Sequence, residues 1–201
     1  MAKNQMFDQM TAAAMERLAG RDPLMIAENA GIIYDGNARA FRVSSMGVDL
    51  EIAYPDYIIK PAISGWHQLL VLHYLDMADG WPVSGRDMPF SQMQSGLIRG
   101  GGIDRSCEQA IASMKNLDEE VLGKTCEGLG GARILSNADV AWRIPFLPRF
   151  PVTLQIWLPD EEFPASGRLL VDESADHYFT IEDAVGVAEL VLEEILQSCS
   201  R

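Results

Sequence analysis

Residues 48–54 read Val-Asp-Leu-Glu-Ile-Ala-Tyr, and this stretch decides the fold class. Val48, Leu50, Ile52 and Tyr54 fall on alternate positions, with Asp49, Glu51 and Ala53 between them. That is the period of a strand with one buried and one wet face. Just before it, Phe41 and Val43 alternate with Arg42 and Ser44, and Ile32-Ile33-Tyr34 leads into the turn dipeptide Asp35-Gly36. An antiparallel meander over residues 32–60 is the economical reading. Just after it the period changes. Over residues 63–78, Trp66, Leu69, Leu70, His73, Tyr74 and Met77 share one helical face, while Val71, Leu72 and Leu75 fill others. This predicts a central helix covered on several sides, ended by Gly80 and Pro82.

The flanks extend the same logic. An amphipathic helix is expected over residues 4–19, with Met6 in its stripe, and a short one from Asp22-Pro23. Ser91 is placed to cap a helix that stops at Gly100-Gly101-Gly102, and further helices are expected at about 103–115 and 117–128. Val140, Trp142 and Ile144 alternate, as do Val152, Leu154 and Ile156, and Leu169-Leu170-Val171 is a short buried strand. Between them, three prolines in the run from Pro145 to Pro151 remove ladder donors, so the run reads as a connection or an edge. The last helix, 181–197, starts at Thr180 with Asp183 in a variant capping box. Two groups of antiparallel strands, at about 32–60 and 139–172, with a central helix and terminal helices describe a single α+β domain over residues 1–201.

Composition narrows the function. The 201 residues are 48% hydrophobic and 22% charged, which is globular. A net charge of −13 without a cluster of Lys and Arg argues against nucleic acid and against anionic bilayers. The acidic excess is concentrated in residues 139–201, with 12 acidic and 4 basic side chains. No secretory leader and no bilayer-length apolar run is present, so a cytoplasmic location is expected. Cys107, Cys126 and Cys199 lack any C-x-x-C pair, so no zinc knuckle and no complete iron–sulfur site is encoded.

Four features could carry chemistry. Asp160, Glu162, Asp172 and His177, in an acidic segment over residues 160–177, are the donor types a divalent metal takes, and they would equip a metal-dependent hydrolase or transferase if they converge. The plainer reading is a solvated loop whose carboxylates cap turns. His73, with Asp76 three residues on, reads first as a buried, hydrogen-bonded imidazole and more sharply as an axial ligand to a haem or corrinoid metal. Arg99-Gly100-Gly101-Gly102 before a helix has the makings of a phosphate cradle, but lacks the rest of any phosphate-binding motif and reads rather as a hinge or lid. Trp81 and Trp157 border loops, where they would wall a pocket for a planar ligand.

The tail from Phe150 to Ala165, FPVTLQIWLPDEEFPA, continues to Leu170-Val171-Asp172 and Glu182-Asp183. It resembles the prokaryotic family called domain of unknown function 3786, in which a proline-rich connection leads to a strand, an acidic DEEFPA turn, a buried strand ending in Asp and a C-terminal helix. Leu72-His73-Tyr74-Leu75 with Pro82-Val83-Ser84-Gly85 is similar to that family's helix and loop. The resemblance spans roughly residues 63–198. Members occur largely in anaerobes, and some are joined to a four-cysteine iron–sulfur domain like that of corrinoid proteins. The resemblance therefore implies a role beside corrinoid or redox chemistry, and it brings no catalytic residues with it.

Together these point to an accessory or binding protein without its own catalysis. It would hold a small-molecule ligand or a redox partner protein in a pocket near His73, Trp157 and the Asp160–Pro164 turn. Homo-oligomer formation is left open.

Overall fold

A computed structural model describes residues 2–114 and 118–199; the side chains of Met6 and Cys199, and the predicted helix ends at 115 and 117, lie outside what it describes. The chain begins with α1 (Ala2–Leu18) and α2 (Pro23–Ala30), the latter capped by the Asp22 carboxylate on Leu24 N and closed by Gly31 in the left-handed region at φ 66°. The meander follows as expected: β1 (Ile33–Asp35), β2 (Ala40–Ser45), β3 (Val48–Ala53) and β4 (Ile59–Lys60) form a four-stranded antiparallel sheet in chain order. Its inner face carries Phe41, Leu50 and Ile52, all at most 2% exposed.

Helix α3 (Gly65–Met77) starts where Ser64 caps His67 N. Leu69, Leu70, Val71 and Leu72 are all fully buried, because α1, α2 and α6 (Ile181–Cys199) pack around it. Its all-round apolar sequence is thus explained by cover on several sides.

The second sheet is assembled from β5 (Asp87–Met88), β6 (Ala132–Arg133), β7 (Val140–Leu147), β8 (Phe150–Trp157) and β9 (Ser166–Asp172), in the antiparallel order β5-β9-β8-β7-β6. Helices α4 (Gly96–Ala112) and α5 (Glu119–Gly128) pack against β9 and β7, and both touch α6. One buried cluster runs through both sheets from Ala14 to Ile195, which makes the fold a single α+β unit. Among the described residues no helix is long and apolar enough to cross a membrane.

Two local expectations are corrected. The proline run is not a bare connection, and the edge reading holds locally: Pro145 and Pro151 face each other inside the β7–β8 hairpin, which turns at Pro148-Arg149. They fit because β6 pairs with β7 only at Trp142 and Arg143, and β9's pairing with β8 stops at Val152, so no outer ladder reaches either ring. The glycine run does not stop a helix or form a hinge. It lies inside α4, and its N–H groups serve the helix instead of a phosphate. A Cβ on Gly100 would stand 2.3 Å from the Phe90 carbonyl oxygen, and one on Gly96 equally close. These two glycines, one turn apart, let α4 lie against the Phe90–Gln92 turn. One turn further on, Asp104 accepts from Phe90 N and Ser91 N at 3.1 Å each. Ser91 belongs to that turn and does not cap α4.

Candidate ligand-binding site

The three histidines each have a fixed partner. His73 Nδ1 donates to Asp183 Oδ1 at 2.6 Å, and Thr180 Oγ1 donates to Asp183 Oδ2 at 2.7 Å, so the expected capping box also ties α6 to α3. Burial alone would raise the Asp183 carboxyl, but the bonds from His73 and Thr180 outweigh it and hold it below the usual range. Asp76 instead binds Arg17 and Arg21. Ser45 Oγ donates to the Phe146 carbonyl at 2.6 Å, which commits its one proton and leaves it the acceptor from His67 Nε2 at 2.7 Å. Burial pushes the His67 pKa down, so that ring stays neutral. His177 Nδ1 donates to Asp79 Oδ2 at 2.6 Å and its ring stacks on Trp81 at 4.6 Å.

Three of the four proposed metal donors, Asp160, Asp172 and His177, have separate tasks. Asp160 accepts from Glu162 N and Phe163 N at 2.8 and 2.7 Å, and these bonds, Phe163 first, hold its carboxyl below the usual range. Asp172 accepts from Ser84 N, Gly85 N and Ser174 N, fastening the 82–86 loop to the end of β9. The length of β9 alone separates the Asp160–Glu162 turn from Asp172 and His177 by roughly 20 Å. Among the described residues no group of three or more His, Cys, Asp and Glu side chains is placed to hold a metal ion.

A tetrapyrrole fits His73 poorly. The depression on the Met77–Thr180 side of that helix is about 290 Å³ and does not include His73. That volume falls just below the roughly 300 Å³ at which drug-sized ligand pockets begin, and a haem or corrin is larger still. The imidazole is instead engaged in joining α3 to α6.

Trp157 is different. It ends β8, where alternation sends Phe150, Val152, Leu154 and Ile156 into the core and puts Thr153, Gln155 and Trp157 on the opposite face. On β9, Arg168 is the direct partner of Gln155 and the diagonal neighbour of Trp157. Its guanidinium carbon sits 5.3 Å from the centre of the Trp157 ring, a cation–π contact. Its Nε donates to Gln155 Oε1 at 2.9 Å, and Gln155 Nε2 donates to Ser136 Oγ at 3.0 Å. Beside this pair opens a depression of about 410 Å³, lined by Trp157, Pro164 and Arg168 and by Glu108, Gln109 and Ala112 of α4. The α4 wall comes close because Gly167 has no side chain: a Cβ there would stand 2.9 Å from Ile111 Cδ1.

A family model, the domain of unknown function DUF3786, matches residues 22–194. The chain belongs to that family. The match takes in both sheets and every helix from α2 onward, and α6 extends five residues beyond it. No curated protein matches this DUF3786 chain, and no solved structure does.

Of the expected site residues, Trp157 and, from the Asp160–Pro164 turn, Pro164 alone line this depression; Asp160, Glu162 and His73 do not join them. Gln155 and Arg168 carried one faint sequence signal, a polar residue on the far face of an otherwise apolar strand. Their partnership depends on a register that alternation alone does not fix. The two described thiols offer no rival centre: burial, helped by Asp104, Glu108 and Glu189, pushes Cys107 up to about 12, and Cys126 is also buried.

Proposed function

We propose that the chain is an accessory binding protein that performs no reaction itself and holds a small planar molecule in the depression beside Trp157. The supporting observation is the use of a buried amide. Gln155 is only 8% exposed, yet both ends of its side chain serve to hold Arg168 against the Trp157 ring at the rim of an open depression. Burying an amide costs free energy unless every bond is made, and a packed apolar residue would serve the core as well. Fixing an exposed cation beside an aromatic ring is what such a network achieves, and it prepares a surface for a ligand.

The net charge of −13 favours a small molecule over a nucleic acid or an anionic bilayer at this rim. A place beside corrinoid or redox chemistry in the cytoplasm, implied by the family resemblance, would be decided by the identity of that molecule. The test is native mass spectrometry, with an absorbance spectrum, of protein purified anaerobically from its source. A bound mass on the wild-type chain that is lost from a folded Trp157→Ala variant is the expected result. A wild-type chain carrying no small molecule, or a Trp157→Ala variant that keeps it, overturns the reading.

A further inference from the structure

We infer that the ligand of this depression carries an anionic group, a carboxylate or a phosphate, that pairs with the terminal nitrogens of Arg168; this rests on the ligand-binding reading and names the chemical class of the ligand. Arg168 is anchored at two points, Nε on Gln155 and the guanidinium face over Trp157. Neither contact uses its two Nη groups, and the guanidinium fork is the geometry that suits a carboxylate or a phosphate.

What Arg168 lacks is as informative. Among the described residues it makes no ion pair, although the chain holds 29 acidic side chains against 16 basic ones. Arg143, on the same face of the same sheet, binds Asp87 at 2.9 Å. Arg168 is held by a neutral amide, which orients the cation and leaves its charge unneutralised. Across the depression, Glu108 supplies the opposite sign from α4. A ligand that satisfies both walls is a flat conjugated ring against Trp157, with its anionic edge toward Arg168 and a hydrogen-bond donor toward Glu108.

The test titrates the full chain calorimetrically with naphthalene-2-carboxylate and with its neutral isostere, naphthalene-2-carboxamide. A charge-assisted pair on a fixed guanidinium should make the carboxylate bind about tenfold more tightly or better. Arg168→Gln should close that gap by weakening the carboxylate at least about tenfold more than the carboxamide. Glu108→Gln should tighten the carboxylate alone. Equal affinities, a gap that survives Arg168→Gln, or binding of neither probe overturns the anionic assignment. The wider ligand-binding reading fails on a separate observation, a source-purified chain that carries no small molecule.

Discussion

Two arginines stand on one face of the five-stranded sheet, and the chain treats them in opposite ways. Arg143 lies between strands, its side chain 31% exposed, with Asp87 at 2.9 Å and Thr153 Oγ1 also bonded to that carboxylate at 3.0 Å. Charge, donor and acceptor are matched there, and the cluster ties β5 to β7 and β8. Arg168 is exposed at the sheet's end, held by an amide that is itself buried, with an aromatic ring beneath it and an open depression alongside. The first cluster is complete in itself. The second is organised and incomplete, the usual condition of a surface prepared for another molecule.

The comparison can be broken most severely at Asp87. Asp87→Ala should lower stability by about 2 kcal/mol, between the values for exposed and buried pairs, because it strands a partly buried guanidinium. Denaturant unfolding would read the change, and ligand binding to the folded variant should be unaltered. Gln155→Leu should leave stability within about 1 kcal/mol of the wild type in the same measurement, yet it should weaken binding, since Arg168 then moves freely over Trp157.

Acid separates fold from site in a third way. Burial depresses the His67 pKa in the folded chain, so as pH falls through about 6.5 the unfolded chain takes up the proton first. The contribution is intact above that pH and is lost progressively below it. His67→Gln should flatten this limb of a stability–pH curve, whereas Arg168→Gln should leave its shape alone. The smallest effect on stability is expected at Arg168 itself: Arg168→Gln should stay within about 0.5 kcal/mol of the wild type. A loss as large as that of Asp87→Ala would place the two arginines in the same structural class.

Much of the scaffold was readable before any coordinates. The alternation at 48–54 and again at 140–144 and 152–156 yields the strands, since a half-buried sheet writes its period directly into the chain. The all-apolar run at 69–72 marks α3 as central, and Thr180 with Asp183 marks the start of α6. The glycines of α4 misled because their use is set by a distant turn. Gly100 is needed by the Phe90 carbonyl that it touches, and no local pattern announces that contact. The prolines rule out a mid-sheet place, but which strand ends leave them that edge depends on where β6 and β9 stop.

The site was half readable. Trp157 and the turn that carries Pro164 stand out in the sequence, but the carboxylates of that turn do not line the depression, and the pairs that define roles are remote. His73 meets Asp183 across 110 positions, and His177 meets Asp79 across 98. Arg168 gains its meaning only from Gln155 in the adjacent strand. Residue types advertise chemistry, and the register decides which of them can share it.

The four tryptophans offer the sharpest check, because Trp81 is exposed beside His177 and Trp142 lines a separate depression of about 590 Å³. In a proton–nitrogen correlation spectrum of the full chain, with the indole signals assigned by single Trp→Phe variants, naphthalene-2-carboxylate is added stepwise. The account predicts that the Trp157 indole resonance moves saturably while those of Trp66, Trp81 and Trp142 stay in place. A shift at Trp81 or Trp142 with Trp157 unmoved would contradict it.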